Sequence, residues 1–327
     1  MSAFLGIFPI FTDVVKIPSA EDSENNWTLS ADFLAWFASE EIASIWSDVI
    51  TITPSTSTWA LPSFNFKWDY GFRIGAGRNL KYDQWDTAFH WSWFRTDANH
   101  EIPSQANTSV GAEFDAGFLA GVLNFTSPDS MSAKWSLLFN MFDWELGRRC
   151  LVSNDLSMRP FLGLQGGWIN QSIHAKYYDL IVLEIFKTTN SASEQLKNNF
   201  WGIGPLVGIN TKWRICDFGS NFFDFFGDLS TAMMWGTWEC RDFYKNTFLE
   251  SYSVDTKNAS LGALMLRGFW GLGWEVSMRG GKSHFSAKLG FETQLWLNQL
   301  RIATFQLQRL HHDLTLQGIT FNCQFDF

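Results

Sequence analysis

Apolar and polar residues alternate with period two along most of the chain, as in strands with one apolar and one polar face. Over 64–76 the even positions Phe64, Phe66, Trp68, Tyr70, Phe72, Ile74 and Ala76 are apolar, and Asn65, Lys67, Asp69, Gly71, Arg73 and Gly75 stand between them. In "QWDTAFHWSW", Trp85, Phe89, Trp91 and Trp93 oppose Asp86, His90 and Ser92. Over 266–278 one face carries Leu266, Gly268, Trp270, Leu272, Trp274, Val276 and Met278, and the other carries Arg267, Gly271, Gly273 and Glu275. The same reading predicts strands over 27–37, 131–141, 156–169, 200–213, 223–237, 285–297 and 319–327, ten in all.

Short connections of about 6 to 14 residues alternate with long ones of about 21 to 37. Short turns on one side and long loops on the other are the plan of an up-and-down barrel in an outer membrane, with short periplasmic turns and long outer loops. Both termini then lie on the short-turn side, so the strand number is even. The pattern predicts an all-β, closed antiparallel transmembrane β-barrel of at least ten strands. There is room for 12 to 16 if the long connections hide further strands at 45–53, 111–121 and 177–186. Strands of 11 to 15 residues, at about 3.3 Å per residue and a tilt near 45°, cross about 25–30 Å, a bilayer core. Trp201 and Trp213 sit at opposite ends of one strand face, and Trp85 and Trp93 do likewise, which predicts lipid-facing aromatic girdles.

Composition sharpens this picture. The 327 residues include 32 Phe and 18 Trp but only 17% charged residues, below the roughly 25% usual in soluble domains. No apolar run is long enough for a membrane-spanning helix. A net charge of −9 without a Lys/Arg cluster argues against nucleic acid as a partner. Residues 1–26 have no basic residue before Lys16 and read as a periplasmic segment or leader remnant, ahead of a single barrel domain over 27–327. The four cysteines, Cys150, Cys216, Cys240 and Cys323, lack metal-ligand spacing.

Five stretches carry a family resemblance: 25–41, 64–94, 133–171, 198–213 and 314–327, with WDxGFRxGxG, DxWD, ELGR and RPFxG in that order. The chain resembles the pore-forming major outer-membrane proteins of the Chlamydia-related and Legionella type. That resemblance implies a single-chain barrel porin of a bacterial outer membrane. It also implies that Phe327 serves as the signal read by the barrel-assembly machinery. Related chlamydial envelope proteins use disulfide cross-links, which makes Cys150 and Cys216, beside predicted short turns, candidates for such a link; a free thiol near a turn is the other reading.

With apolar faces toward lipid, the basic lumen residues are Lys67, Arg73, Lys134, Arg159, Lys212, Arg267 and Lys288. The acidic ones are Asp32, Asp69, Asp86, Asp224, Asp228, Glu275 and Glu292. Seven against seven predicts a pore with little ionic preference, since selectivity comes from rings of one sign. The alternative is that these charges pair across strands and fill a narrow lumen. Cys323 faces lipid as a small apolar residue. Inward glycines, among them Gly71, Gly202, Gly204 and Gly208, suit curvature or a close side chain. "GIGPLVG" has no following helix and is not a dinucleotide loop. His90 is the one inward histidine near an outer strand end, and no catalytic or metal constellation forms around it, so neither enzyme activity nor a cofactor is expected. Outer loops lean acidic, with Glu40, Glu41 and Asp48 in the first and Asp97, Glu101, Glu113, Asp115 and Asp129 in the second.

The expected function is passive diffusion of small hydrophilic solutes through an outer-membrane channel embedded in lipid. A non-conducting barrel that works as adhesin or disulfide-linked scaffold is the first rival, and a soluble carbohydrate-binding β protein the second. Porins are commonly trimers, though no stretch here marks a subunit interface.

Overall fold

The computed structural model describes residues 27–40, 48–52, 55–60, 63–80, 83–104, 108–111, 130–182, 187–247, 251–278, 283–303 and 309–327. The segment 1–26 lies outside them. The described residues hold strands and no helix: β1 (Trp27–Glu40), β2 (Asp48–Ile52), β3 (Ser57–Ala60), β4 (Trp68–Asn79), β5 (Trp85–Ile102), β6 (Thr108–Gly111) and β7 (Ser130–Arg148). They continue with β8 (Cys150–Leu151), β9 (Leu156–Val182), β10 (Lys187–Phe218) and β11 (Asn221–Asn246). The last three are β12 (Tyr252–Met278), β13 (Ser283–Ala303) and β14 (Arg309–Asp326).

Ten of these close a barrel in the order β1-β4-β5-β7-β9-β10-β11-β12-β13-β14, each antiparallel to its neighbours. β14 returns to β1 from Thr28 opposite Asp326 to Glu40 opposite Leu314. The seam ends in a reciprocal pair: the Trp27 N–H donates to the Phe327 carbonyl at 2.9 Å, and the Phe327 N–H to the Trp27 carbonyl at 3.0 Å. Closure leaves no edge strand for lipid to meet, so the backbone of the spanning region pairs from strand to strand round the barrel.

The barrel therefore has ten strands, not 12 to 16. Of the expected extra strands, 48–52 is β2, which pairs with β3 and β6 in a separate three-stranded sheet. Residues 177–182 simply prolong β9, and Gly111 ends β6; the remaining residues of 111–121 and 177–186 lie outside the described ones. Strand length differs more from expectation. β9 has 27 residues and β10 has 32, so 170–182 and 187–199, expected to be mostly loop, pair as tall antiparallel strands.

The tall strands keep the same residues outward but exchange the polarity of their two faces partway up. Below Trp168, β9 turns Leu162 and Leu164 outward and Gln165 inward; above it, Ser172, His174 and Lys176 point outward, and Ile173, Ala175 and Tyr177 inward. β10 reverses at Trp201: Ile203, Val207 and Trp213 are exposed below it, while Asn199 and Lys197 are exposed above it and Phe200 and Leu196 are buried. Twelve residues separate Trp201 from Trp213, which at about 3.3 Å each and a tilt near 45° gives an apolar outer belt about 28 Å tall. Above the belt the barrel stands in water and carries its own apolar core, including Trp135, Ile173, Leu196, Trp238 and Leu314.

Glycines let the wall coil where strands press close. Gly167, Gly202 and Gly236 lie opposite one another across β9, β10 and β11, and the Phe200 ring lies over Gly202. At Gly204 a Cβ would run into the Met233 carbonyl of β11, which is backbone and cannot turn aside. Gly204→Ala is thus expected to cost about 1–3 kcal/mol, read by urea unfolding of detergent-refolded protein. Gly262→Ala, whose Cβ meets only the flexible end of Met233 at 3.5 Å, should stay within about 0.5 kcal/mol of the parent.

Candidate functional site

Below the level where the faces reverse, the inward side chains are polar and enclose a cavity of about 490 Å³ that reaches the short-turn end beside Thr28, Arg149 and Asp326. Period two explains the lining. Each strand here meets an apolar solvent outside, so its polar residues fall inward.

The charges form three ladders around the wall. Arg159 of β9 donates from Nε to Asp86 of β5 at 2.8 Å, and from Nη1 to Glu145 of β7 and to Asn210 of β10, both at 2.8 Å. Lys212 of β10 pairs with Asp224 of β11 at 3.6 Å and, more closely, with Glu275 of β12. Arg73 of β4 donates to Asp32 of β1 at 2.8 Å, to Glu292 of β13 at 2.8 Å and from Nε to Ser92 at 2.8 Å.

Glu292 is fully buried and is the centre of the third ladder. Besides Arg73 it accepts from Arg267 at 2.7 Å, from the Thr320 hydroxyl at 2.9 Å and from Gln294 at 3.1 Å. Two tryptophans hang on the same network: Trp36 Nε1 donates to Thr320 at 3.1 Å, and Trp296 Nε1 to Gln294 at 3.3 Å. The polar layer thereby positions the apolar layer above it.

That apolar layer crosses the lumen. Phe139 on β7 and Trp296 on β13 have ring centroids 5.7 Å apart, although four strands separate β7 from β13 in either direction round the barrel. Trp36 and Phe94 pack at 5.5 Å beside them. Both Phe139 and Trp296 are fully buried. This septum stands across the lumen above the Glu292 network.

Of the residues expected in the lumen, Arg73, Asp86, Arg159, Lys212, Asp228, Arg267, Glu275 and Lys288 line the chamber. Asp224 and Glu292 are buried behind their cationic partners. Asp69 faces inward higher up, opposite Trp36 across β1–β4, and accepts from Thr96 at 2.6 Å. Lys67 and Lys134 do not face the lumen. Both reach Asp97 on the outer surface, at 3.7 and 3.6 Å. Lys67 precedes the first ladder residue of β4, so strand parity does not govern it, and Lys134 lies above the belt, where the faces are reversed. Glu40 and Asp97, expected in loops, belong to β1 and β5, and Glu40 is buried.

Trp201 and Trp213 are exposed on the outer face, and Trp85 and Trp93 are half-buried there. His90 reaches across to Gly75, where a Cβ would strike its ring. Gly71 is not an open lumen position either: a Cβ there would meet the Trp93 carbonyl at 2.5 Å. Cys150 and Cys216 are free thiols, so they are not bonded to each other within the chain. Sequence reading missed the septum entirely. Its signal was present as a change in which parity is apolar, from Leu162 and Leu164 to Ile169, Ile173 and Tyr177.

A family model for the Legionella pneumophila major outer membrane protein precursor matches residues 17–327. No curated protein matches. Among solved structures, the outer membrane protease OmpT of Escherichia coli is similar with a TM-score of 0.44 and 9% identity, covering 94% of this chain and 99% of its own. The toluene transporter TodX of Pseudomonas putida gives a TM-score of 0.29 and 7% identity over 93% of this chain and 89% of its own. Ail, the attachment invasion locus protein of Yersinia pestis, gives 0.26 and 7% over 93% and 99%. At such scores and identities these likenesses say nothing of activity.

Proposed function

This chain belongs to the Legionella major outer membrane protein family and is a β-barrel of the bacterial outer membrane, and on that premise we propose that it is a passive pore for small hydrophilic solutes, held closed in the conformation described. The observation that carries this reading is the chamber: a polar cavity of about 490 Å³ inside the lipid-facing belt, open toward the short-turn end. Its lining charges are largely paired across strands, which supports weak ionic selectivity.

Passage requires the Phe139–Trp296 contact to part. No covalent step or cofactor enters this reading. Phe327, whose backbone is pinned to Trp27 and whose ring is half exposed, would be the element recognised during assembly. Cys150 and Cys216 would be available, as thiols near the short turns, to join a neighbouring chain; a homotrimer is the assembly proposed.

The septum itself favours a second reading, a non-conducting barrel acting through its long-loop end as adhesin or scaffold. Planar-bilayer recordings separate the two. Phe139→Ala with Trp296→Ala removes both halves of the contact and should give more frequent or larger conductance steps than the parent. If the double variant retains heat-modifiable mobility on gels yet never conducts, the pore reading fails and the second stands.

A further inference from the structure

Above the septum, four buried polar side chains that the chamber does not use form a chain of neighbours: Glu40 of β1, Gln171 of β9, Asn198 of β10 and Gln299 of β13. They come from β1, from the adjacent strands β9 and β10, and from β13. Gln171 and Asn198 lie opposite each other in the β9–β10 ladder. The Asn198 Nδ2 donates to the Gln299 carbonyl at 3.4 Å, and Trp238 Nε1 donates to the same carbonyl at 3.0 Å. Trp135 Nε1 donates to Glu40 Oε2 at 2.9 Å, and Gln171 faces the same carboxyl.

Gln299 is there because β13 breaks its alternation. The β13–β14 register shifts between Trp296 and Leu300, and Asn298 takes a φ of 52° with its N–H donating to Asp313 at 2.7 Å. Both Gln299 and Leu300 consequently point inward. Bulges of this kind re-aim side chains.

These groups satisfy one another only in part. Glu40 Oε1, Gln171 Oε1, Asn198 Oδ1 and both polar side-chain atoms of Gln299 are buried without any hydrogen-bond partner. Buried carboxamides normally use their oxygens, and a buried carboxylate normally has a counter-charge. Among the described residues Glu40 has none: the groups acting on it are Trp135 and Gln171. One carboxylate and three amide oxygens are hard donors of the kind that hold hard cations.

We propose that Glu40, Gln171, Asn198 and Gln299 bind one sodium ion through their side-chain oxygens. A single negative charge is balanced by a monovalent ion. Calcium takes six to eight oxygens, and magnesium keeps most of its water; one carboxylate with three amides suits neither. The ion ties β1, β9, β10 and β13 together directly above the septum. Trp135, the Glu40 partner, stands opposite Ile173, five residues beyond Trp168, so the site lies above the lipid belt.

The site stands whether or not the pore conducts, because it is read by stability. Full-length protein refolded in detergent is unfolded by heat in sodium chloride and, at equal ionic strength, in N-methylglucamine chloride. The parent should unfold about tenfold more slowly in sodium. Glu40→Gln keeps an acceptor for Trp135 and should abolish the sodium effect. Gln171→Met, which removes one oxygen, should reduce the effect and serves if Glu40→Gln does not refold. Equal rates in the two salts would mean that water alone fills the site and would overturn the proposal, as would a full sodium effect in Glu40→Gln. A larger effect of calcium chloride than of sodium chloride would overturn the assignment of the ion.

Discussion

Glu292→Ala is expected to destabilise the barrel by about 3–5 kcal/mol, the cost of leaving buried charges without their partner. The carboxylate is fully buried and accepts from Arg73, Arg267, Thr320 and Gln294. Arg73 would keep Asp32, but Arg267 would lose the carboxylate it is paired with. Trp36 and Trp296 would lose the network that orients them, so the septum should loosen along with the ladder. Urea unfolding of detergent-refolded protein measures the loss. A useful comparison is Asp255→Ala, since the Arg241–Asp255 pair lies on the surface and should be worth at most about 1 kcal/mol. If Glu292→Ala cost no more than Asp255→Ala, the interior ladder would not be what holds the lower barrel in register.

Phe72→Arg carries the second largest expected loss, about 2–4 kcal/mol for a charge in the middle of the lipid face. Phe72 is the central one of the outward residues Trp68, Tyr70, Phe72, Ile74 and Ala76. It packs on Trp93 at 5.5 Å and Trp91 at 5.4 Å, so the substitution also strips an aromatic cluster. The same arginine placed at Asn199, two residues above Trp201 on the outer face of β10, should change stability by less than about 0.5 kcal/mol. Folding yields in lipid vesicles and urea unfolding give both numbers. Equal losses at the two positions would mean that the belt does not end at Trp201.

The ten barrel strands were legible because lipid forces a strict alternation on each spanning segment, and 64–76, 266–278 and 319–327 obey it almost without exception. The tall upper strands were hidden by the same rule. A reading that equates apolar with outward loses β9 at Trp168, because beyond it the apolar residues Ile173, Ala175 and Tyr177 point in. Gln171 and Asn198 therefore read as loop polar residues, and Glu40 as part of an acidic rim. Gln299 was harder still, since the positive φ at Asn298 removes the period altogether. The charged lumen residues sorted well wherever they sat below the reversal; Lys67 and Lys134 failed where parity had not begun or had already inverted. Contact across the barrel, such as Phe139 with Trp296, leaves no local trace, because the two residues belong to opposite walls.

The reversal of faces at Trp168 and Trp201 divides the molecule between two sources of stability. Within the belt, moving an apolar side chain from lipid to protein changes little, and cohesion comes from backbone pairing and side-chain fit. Above it, Trp135, Trp238 and Leu314 leave water on folding, so that half carries the heat-capacity change and the denaturant response that follow buried apolar area. A steep urea transition in this protein would report chiefly on its dry upper core, while the segment embedded in lipid would register as resistance to heat and detergent.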